Sequence, residues 1–119
     1  MMDLSTLIKN QIAADTKRGF PVIFHTDQEK YSQLIKDLVG LYGEIGEFSN
    51  LVKKVGLKLD RSKYNGPSFA DVERQLREEL ADTMIYLMRV SAILGVDLER
   101  EIITKMNINS LRYQSLESD

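Results

Sequence analysis

The sequence contains no cysteine and no tryptophan, and only two prolines among 119 residues. The missing cysteine excludes a disulfide framework, a thiolate metal site and a thiol nucleophile. Basic residues are not in excess either: 16 Lys and Arg stand against 18 Asp and Glu, a formal charge of −2. A surface that neutralises a nucleic-acid backbone needs clustered Lys and Arg, so no nucleic-acid partner is expected, and any phosphate compound bound here needs a cation. No apolar run approaches the roughly 20 residues that span a bilayer, and residues 1–19 lack the continuous apolar stretch of a signal peptide. No membrane association is expected, and the expected location is cytoplasmic.

What is present is an ordinary globular composition, 43% apolar and 29% charged, in a chain long enough for one core. One domain over 1–119 is expected. Its core runs from 27 to 113, preceded by an N-terminal helix and connector (1–25) and followed by a frayed tail (114–119). Leu4, Leu7, Ile8 and Ile12 repeat at helical spacing and predict a first helix ending before Gly19 and Pro21. The apolar segment from Phe20 to Phe24 is too short for a core helix and reads as an ordered connector, packed on the helices or stacked on a base. Thr26 with Glu29 is a capping-box pattern, and Leu34, Leu38, Leu41, Ile45, Phe48, Val52 and Val55 then step by fours and threes. From Gly56 to Pro67 that rhythm is lost, which predicts a connector between two antiparallel helices. Ser68 with Asp71 opens a third helix that Gly95 closes, and Asp97 caps a fourth. The fold expected is an all-α, antiparallel four-helix bundle. Nine of the eleven residues from Met84 to Leu94 are apolar, more than one protomer covers, so assembly with further copies is expected.

Two acidic pairs stand out. Glu44 and Glu47 on the second helix, and Glu79 and Asp82 on the third, are each three residues apart and so project from one side of their helix. Both pairs border the apolar seam, where four ionised carboxylates repel one another and lose hydration unless protonated, paired with bases or holding cations. Basic neighbours are scarce, and all-oxygen ligands suit a hard ion such as Mg2+, with Mn2+ able to substitute. Either motif alone is common on a solvated helix face. A di-iron carboxylate bundle needs Glu-x-x-His motifs, and the single histidine, His25, lies outside both pairs.

Other groups allow two readings each. Lys105, Asn109 and Arg112 form one polar stripe with Tyr113 beside it, either donors to phosphate oxygens or a solvated face. Lys54, seven residues after Glu47, is within reach of a phosphate or simply exposed. Arg89 either offsets phosphate charge or pairs with an acid. Gly40, Gly43 and Gly46 make room for a substrate or another helix, or merely weaken this one.

The acidic pairs, the stretch from Arg77 to Tyr113 (REELADTMIYLMRVSAILGVDLEREIITKMNINSLRY) and its terminal K-x-x-x-N-x-x-R-Y motif resemble the MazG-like nucleotide pyrophosphohydrolases over roughly Leu34 to Tyr113. The resemblance implies an all-α hydrolase of phosphoric anhydride bonds that converts a nucleoside triphosphate and water to the monophosphate and pyrophosphate. It implies magnesium, a homodimer or a dimer of dimers, and a role in cleansing the nucleotide pool. Carried over, Glu44, Glu47, Glu79 and Asp82 become the catalytic metal ligands, Lys105, Asn109, Arg112 and Tyr113 the phosphate contacts, and Glu78 a supporting group. The long connector and the glycines before Glu47 depart from the pattern, so phosphoribosyl-ATP, dUTP and dCTP all stay open as substrates. The alternative is a helical oligomerisation or regulatory module that binds metal or nucleotide without turnover.

Overall fold

The computed structural model describes residues 2–117, and all regular structure among them is helical. Four α-helices follow in order, α1 (Leu4–Lys17), α2 (Asp27–Asp60), α3 (Phe69–Leu94) and α4 (Leu98–Arg112), with a single 3-10 turn at Gln114–Leu116. The all-α expectation is borne out. Of the tail expected over 114–119, residues 118 and 119 lie outside the described residues.

Each helix starts where a short polar side chain satisfies an orphan N–H. Asp3 accepts from Thr6, Thr26 from Glu29, Ser68 from Asp71 and Asp97 from Arg100. At Ser68 the capping box is complete, because the Asp71 carboxylate accepts the Ser68 N–H in return. Gly95 ends α3 with φ +69°, the left-handed conformation that favours glycine. One boundary differs from the sequence reading. α2 continues through Gly56 to Asp60, so the connector spans only 61–68. A glycine in a helix costs only about 1 kcal/mol, and the final turn is held from outside, where Lys58 Nζ donates to the Tyr64 carbonyl at 3.4 Å.

α2 and α3 form the spine of the molecule, α1 lies on α3, and α4 meets α1. Where α1 and α4 meet, the Glu99 carboxylate accepts from the Leu4 N–H and the Ser5 hydroxyl at 3.1 and 3.0 Å. An acid that suits the first turn of its own helix thus also serves the N-terminus of α1. Val22 of the connector, Leu34 and Ile93 form the core, with Ile12, Phe24, Leu38, Val90 and Ala92 against them. The connector expected to be ordered therefore supplies a core residue.

This core is thin for the chain. The radius of gyration is 18.6 Å, against about 13.5 Å for a compact domain of this length. The accessible surface is 9316 Å², against roughly 6,600 Å² for a folded monomer of this mass. Much of the excess is apolar: Val39 and Tyr42 on α2, and Met106 and Leu111 on α4, are 64% to 76% exposed. No helix among the described residues is long and apolar enough to cross a membrane.

Candidate active site

The register between α2 and α3 brings the site together. Asp37 bonds to Arg89, Gly40 adjoins Tyr86, and Glu44 lies near Asp82. As the residue number rises along α2 it falls by matching steps along α3, so the helices are antiparallel and single faces of each look at one another. Three- and four-residue steps keep a row of side chains on one helix face, so Glu44 of the first acidic pair meets Glu79 and Asp82 of the second.

Glu44, Glu79 and Asp82 each offer a carboxylate oxygen, all within 4.8 Å of one another. Glu79 is buried, Glu44 half-buried and Asp82 exposed, so the cluster opens from the helix interface toward solvent. The Glu44 carboxylate beside it is the main cause that raises the Glu79 pKa, followed by burial and by the neighbouring Glu47, and together they push it up to about 7. Glu79 Oε2 is buried and accepts no hydrogen bond. An unpartnered buried carboxylate oxygen is costly, and a divalent cation resolves both that cost and the repulsion among its neighbours. The donor set, carboxylate oxygens only, fits a hard ion such as magnesium. Glu47 is exposed and acts on Glu79, but it does not join the close trio.

Beside the carboxylates a cavity of about 510 Å³ runs along α2 and α3 toward the core, within the range of small-molecule sites. Glu44 and Asp82 line one end and Asp15, Asp37 and Arg89 the other, with Gln11, Phe20, Gln33, Lys36, Ile85 and Tyr86 between or around them. Phe20 of the connector lines the cavity while Phe24 packs on the core and His25 is exposed. Of the two outcomes foreseen for the aromatic connector, packing on the helices occurs at Phe24, and Phe20 borders the cavity.

Arg89 pairs with acids. It is 6% exposed, and its Nη1 lies 2.9 Å from Asp15 and its Nε 3.1 Å from Asp37, both of them buried. Burial lowers the pKa of the guanidinium, but the bonds to Asp15 and Asp37 outweigh it and the net direction is upward. Asp15 and Asp37 did not emerge from the sequence as site residues. A signal was present, since Asp37 falls among Leu34, Leu38 and Leu41, and Asp15 continues the row of Ile8 and Ile12, each an acid on an apolar stripe.

The glycines divide. A Cβ at position 40 would run into the Tyr86 ring, so Gly40 makes room for another helix, whereas Gly43 and Gly46 meet nothing within 4 Å. Lys54, Lys105, Asn109, Arg112 and Tyr113 do not line the cavity. Arg112 instead stacks over the Tyr113 ring at 5.2 Å, and of the α4 stripe Lys105 and Arg112 are exposed while Asn109 is half-buried.

Fold and site together define an all-α protein with a carboxylate-lined cleft between two antiparallel helices. Comparison with known proteins makes that class specific. The chain is homologous to dCTP pyrophosphatase 1 of Rattus norvegicus, with 39% identity over 89 residues that cover 73% of this chain and 49% of the rat protein. The Homo sapiens protein of the same name is 38% identical over the same shares, and that of Bos taurus 37% identical over 73% and 50%. The chain spans about half the length of these relatives. This homology bears out the resemblance to the MazG-like all-α nucleoside triphosphate pyrophosphohydrolases. No family model matches the chain, and no solved structure does.

Proposed function

We propose that the chain is a magnesium-dependent nucleoside triphosphate pyrophosphohydrolase of the cytoplasmic nucleotide pool, with Mn2+ able to replace Mg2+. The observation that carries this reading is the close trio Glu44, Glu79 and Asp82, with its unpartnered buried oxygen, at the mouth of a cavity the size of a nucleotide site. The relatives' names make dCTP the first substrate to try.

In this reading Glu44, Glu79 and Asp82 hold the cation, with Glu47 beside them. The bound ion supplies charge neutralisation for the phosphate oxygens and acidifies water. Glu47, exposed and outside the close trio, accepts the proton of the attacking water. The water oxygen bonds to phosphorus as the anhydride bond on the opposite side breaks, leaving the monophosphate and pyrophosphate.

The protomer leaves one requirement unmet. Arg89 is spent on Asp15 and Asp37, and of the lining cations only Lys36 remains for a triphosphate. Lys105, Asn109, Arg112 and Tyr113 are the phosphate contacts of this reading, and α4 brings them to a site through a second copy of the chain. The excess surface, roughly 2,700 Å² over a compact monomer, is the size of an obligate interface, which supports a homodimer or a dimer of dimers.

The test is incubation of dCTP, dUTP and the common triphosphates with Mg2+ and with Mn2+, measuring pyrophosphate. Release from at least one nucleotide, abolished by Glu79→Gln and Asp82→Asn, is expected. Nucleotide binding without product would transfer the chain to the non-catalytic alternative.

A further inference from the structure

The inner end of the cavity, away from the carboxylates, holds a polar cluster whose bonding is nearly complete. Arg89 donates from Nε to Asp37, from Nη1 to Asp15 and the Phe20 carbonyl, and from Nη2 to the Pro21 carbonyl. Its Nη2 also lies 3.1 Å from Asp37 Oδ2, so four of its five N–H groups donate to protein acceptors and the charge is held between two acids. The other oxygen of each acid is taken by a glutamine. Gln11 Nε2 donates to Asp15 Oδ1 at 3.0 Å, and Gln33 Nε2 to Asp37 Oδ1 at 3.3 Å.

An amide of glutamine can ordinarily rotate by half a turn and exchange its oxygen for its nitrogen. Here it cannot. A carboxylate only accepts, and the reversed amide would set Oε1 against Oδ1. Asp15 and Asp37, themselves fixed by Arg89, therefore lock both glutamines with the nitrogen turned to the acid. Both residues line the cavity, and among the described residues no protein group donates to either Oε1. What is left for a ligand is an acceptor oxygen and one N–H in a fixed order.

We propose that Gln33 and Gln11 are specificity-determining residues, locked by Asp37 and Asp15 so that the cavity takes a base carrying an exocyclic amino group and rejects its oxo counterpart. The inference rests on the nucleotide reading of the cavity. An amino base presents a donor beside an acceptor ring nitrogen, as cytosine does, and the locked amide edge complements it. Uracil held in the same pose presents the reverse order, which only the flipped amide could match. Phe20, whose carbonyl is held by Arg89, lines the same cavity and supplies a face for stacking.

The experiment measures Kd for dCTP and dUTP with Ca2+ replacing Mg2+, and kcat/KM for both with Mg2+. Wild type should favour dCTP at least tenfold in both. Gln33→Met should erase most of that ratio, through Kd and KM for dCTP. Asp37→Asn gives the sharpest test, because Arg89 keeps the oxygen of the substituted side chain and turns its NH2 toward Gln33, forcing the glutamine amide to reverse. The preference should then shift toward dUTP, which a purely structural loss would not produce. Preference for dUTP in wild type, or an unchanged ratio in both Gln33→Met and Gln11→Met, overturns the inference. If Asp37→Asn does not fold, the two methionine variants decide. Selective binding without turnover would sink the pyrophosphohydrolase reading alone, and turnover with an unchanged ratio would sink this inference alone.

Discussion

The ring and hydroxyl of Tyr86 occupy the space into which a Cβ at position 40 would project. Gly40 is thus a packing requirement between α2 and α3, and it sets where Tyr86 stands beside the cavity. Gly56, on the same helix, meets nothing within 4 Å. Gly56→Ala should raise stability by up to about 1 kcal/mol through helix propensity. Gly40→Ala gains the same propensity but overpacks the interface, at a cost of about 1–3 kcal/mol, so it should lower stability and raise KM by displacing Tyr86. Urea denaturation of the two variants side by side measures the difference. Equal stabilisation would show that the Tyr86 contact does not constrain the helix pair.

Glu79 links metal, pH and stability. Its pKa in the folded chain, about 7, lies above the ordinary carboxyl value of 4.5. The folded state therefore binds the proton more tightly than the unfolded state. Its contribution to stability is complete below about 4.5 and is lost as pH rises through about 7. Without divalent ions Tm should fall across that window, and Mg2+ should restore it at pH 8. Glu79→Gln should remove both the fall and the response to Mg2+. A metal-free Tm that rises from pH 5 to 8 would contradict the raised Glu79 pKa.

Removing Arg89 leaves Asp15 and Asp37 buried without their counter-charge. Arg89→Met should cost about 3–5 kcal/mol. Replacing all three members by apolar residues, Arg89→Met with Asp15→Leu and Asp37→Leu, should recover much of that loss, because an isolated buried charge costs more than none. A triple variant as unstable as Arg89→Met alone would mean that the cluster acts through its shape.

Met106 and Leu111 lie exposed on α4 beside Lys105 and Arg112. If copies of the chain cover this face, Met106→Glu should shift sedimentation toward the monomer and lower activity together, with activity recovering at high protein concentration. Full activity in a monomeric Met106→Glu protein would show that the phosphate contacts come from elsewhere.

The helices and their caps were legible in the sequence because their determinants are local. Thr26, Ser68, Asp97 and Gly95 act within four residues of themselves, and the acidic pairs follow from an i, i+3 spacing. The polar cluster was not legible, since Arg89 meets Asp37 and Asp15 across 52 and 74 residues, and no local pattern says which acid an arginine will find. The glycines resisted for the same reason: Gly40 and Gly43 look alike until Tyr86 is placed. The end of α2 was misread because glycine weakens a helix without stopping it, and the bond from Lys58 to Tyr64 tips the balance.

The two ends of the cavity are mounted on the same pair of helices. Seven residues separate Asp37 from Glu44 on α2 and Arg89 from Asp82 on α3, which is about 10.5 Å of helix axis. The helix pair is thus a gauge of fixed length between the acidic end and the amide end. Inserting one residue in either helix would rotate everything beyond it by about 100° and break both ends at once. The length of ligand is therefore hard to change in small steps, while its chemistry at either end can drift by single side chains. Variation within such a scaffold should accumulate in what is read and leave the span between the readers untouched.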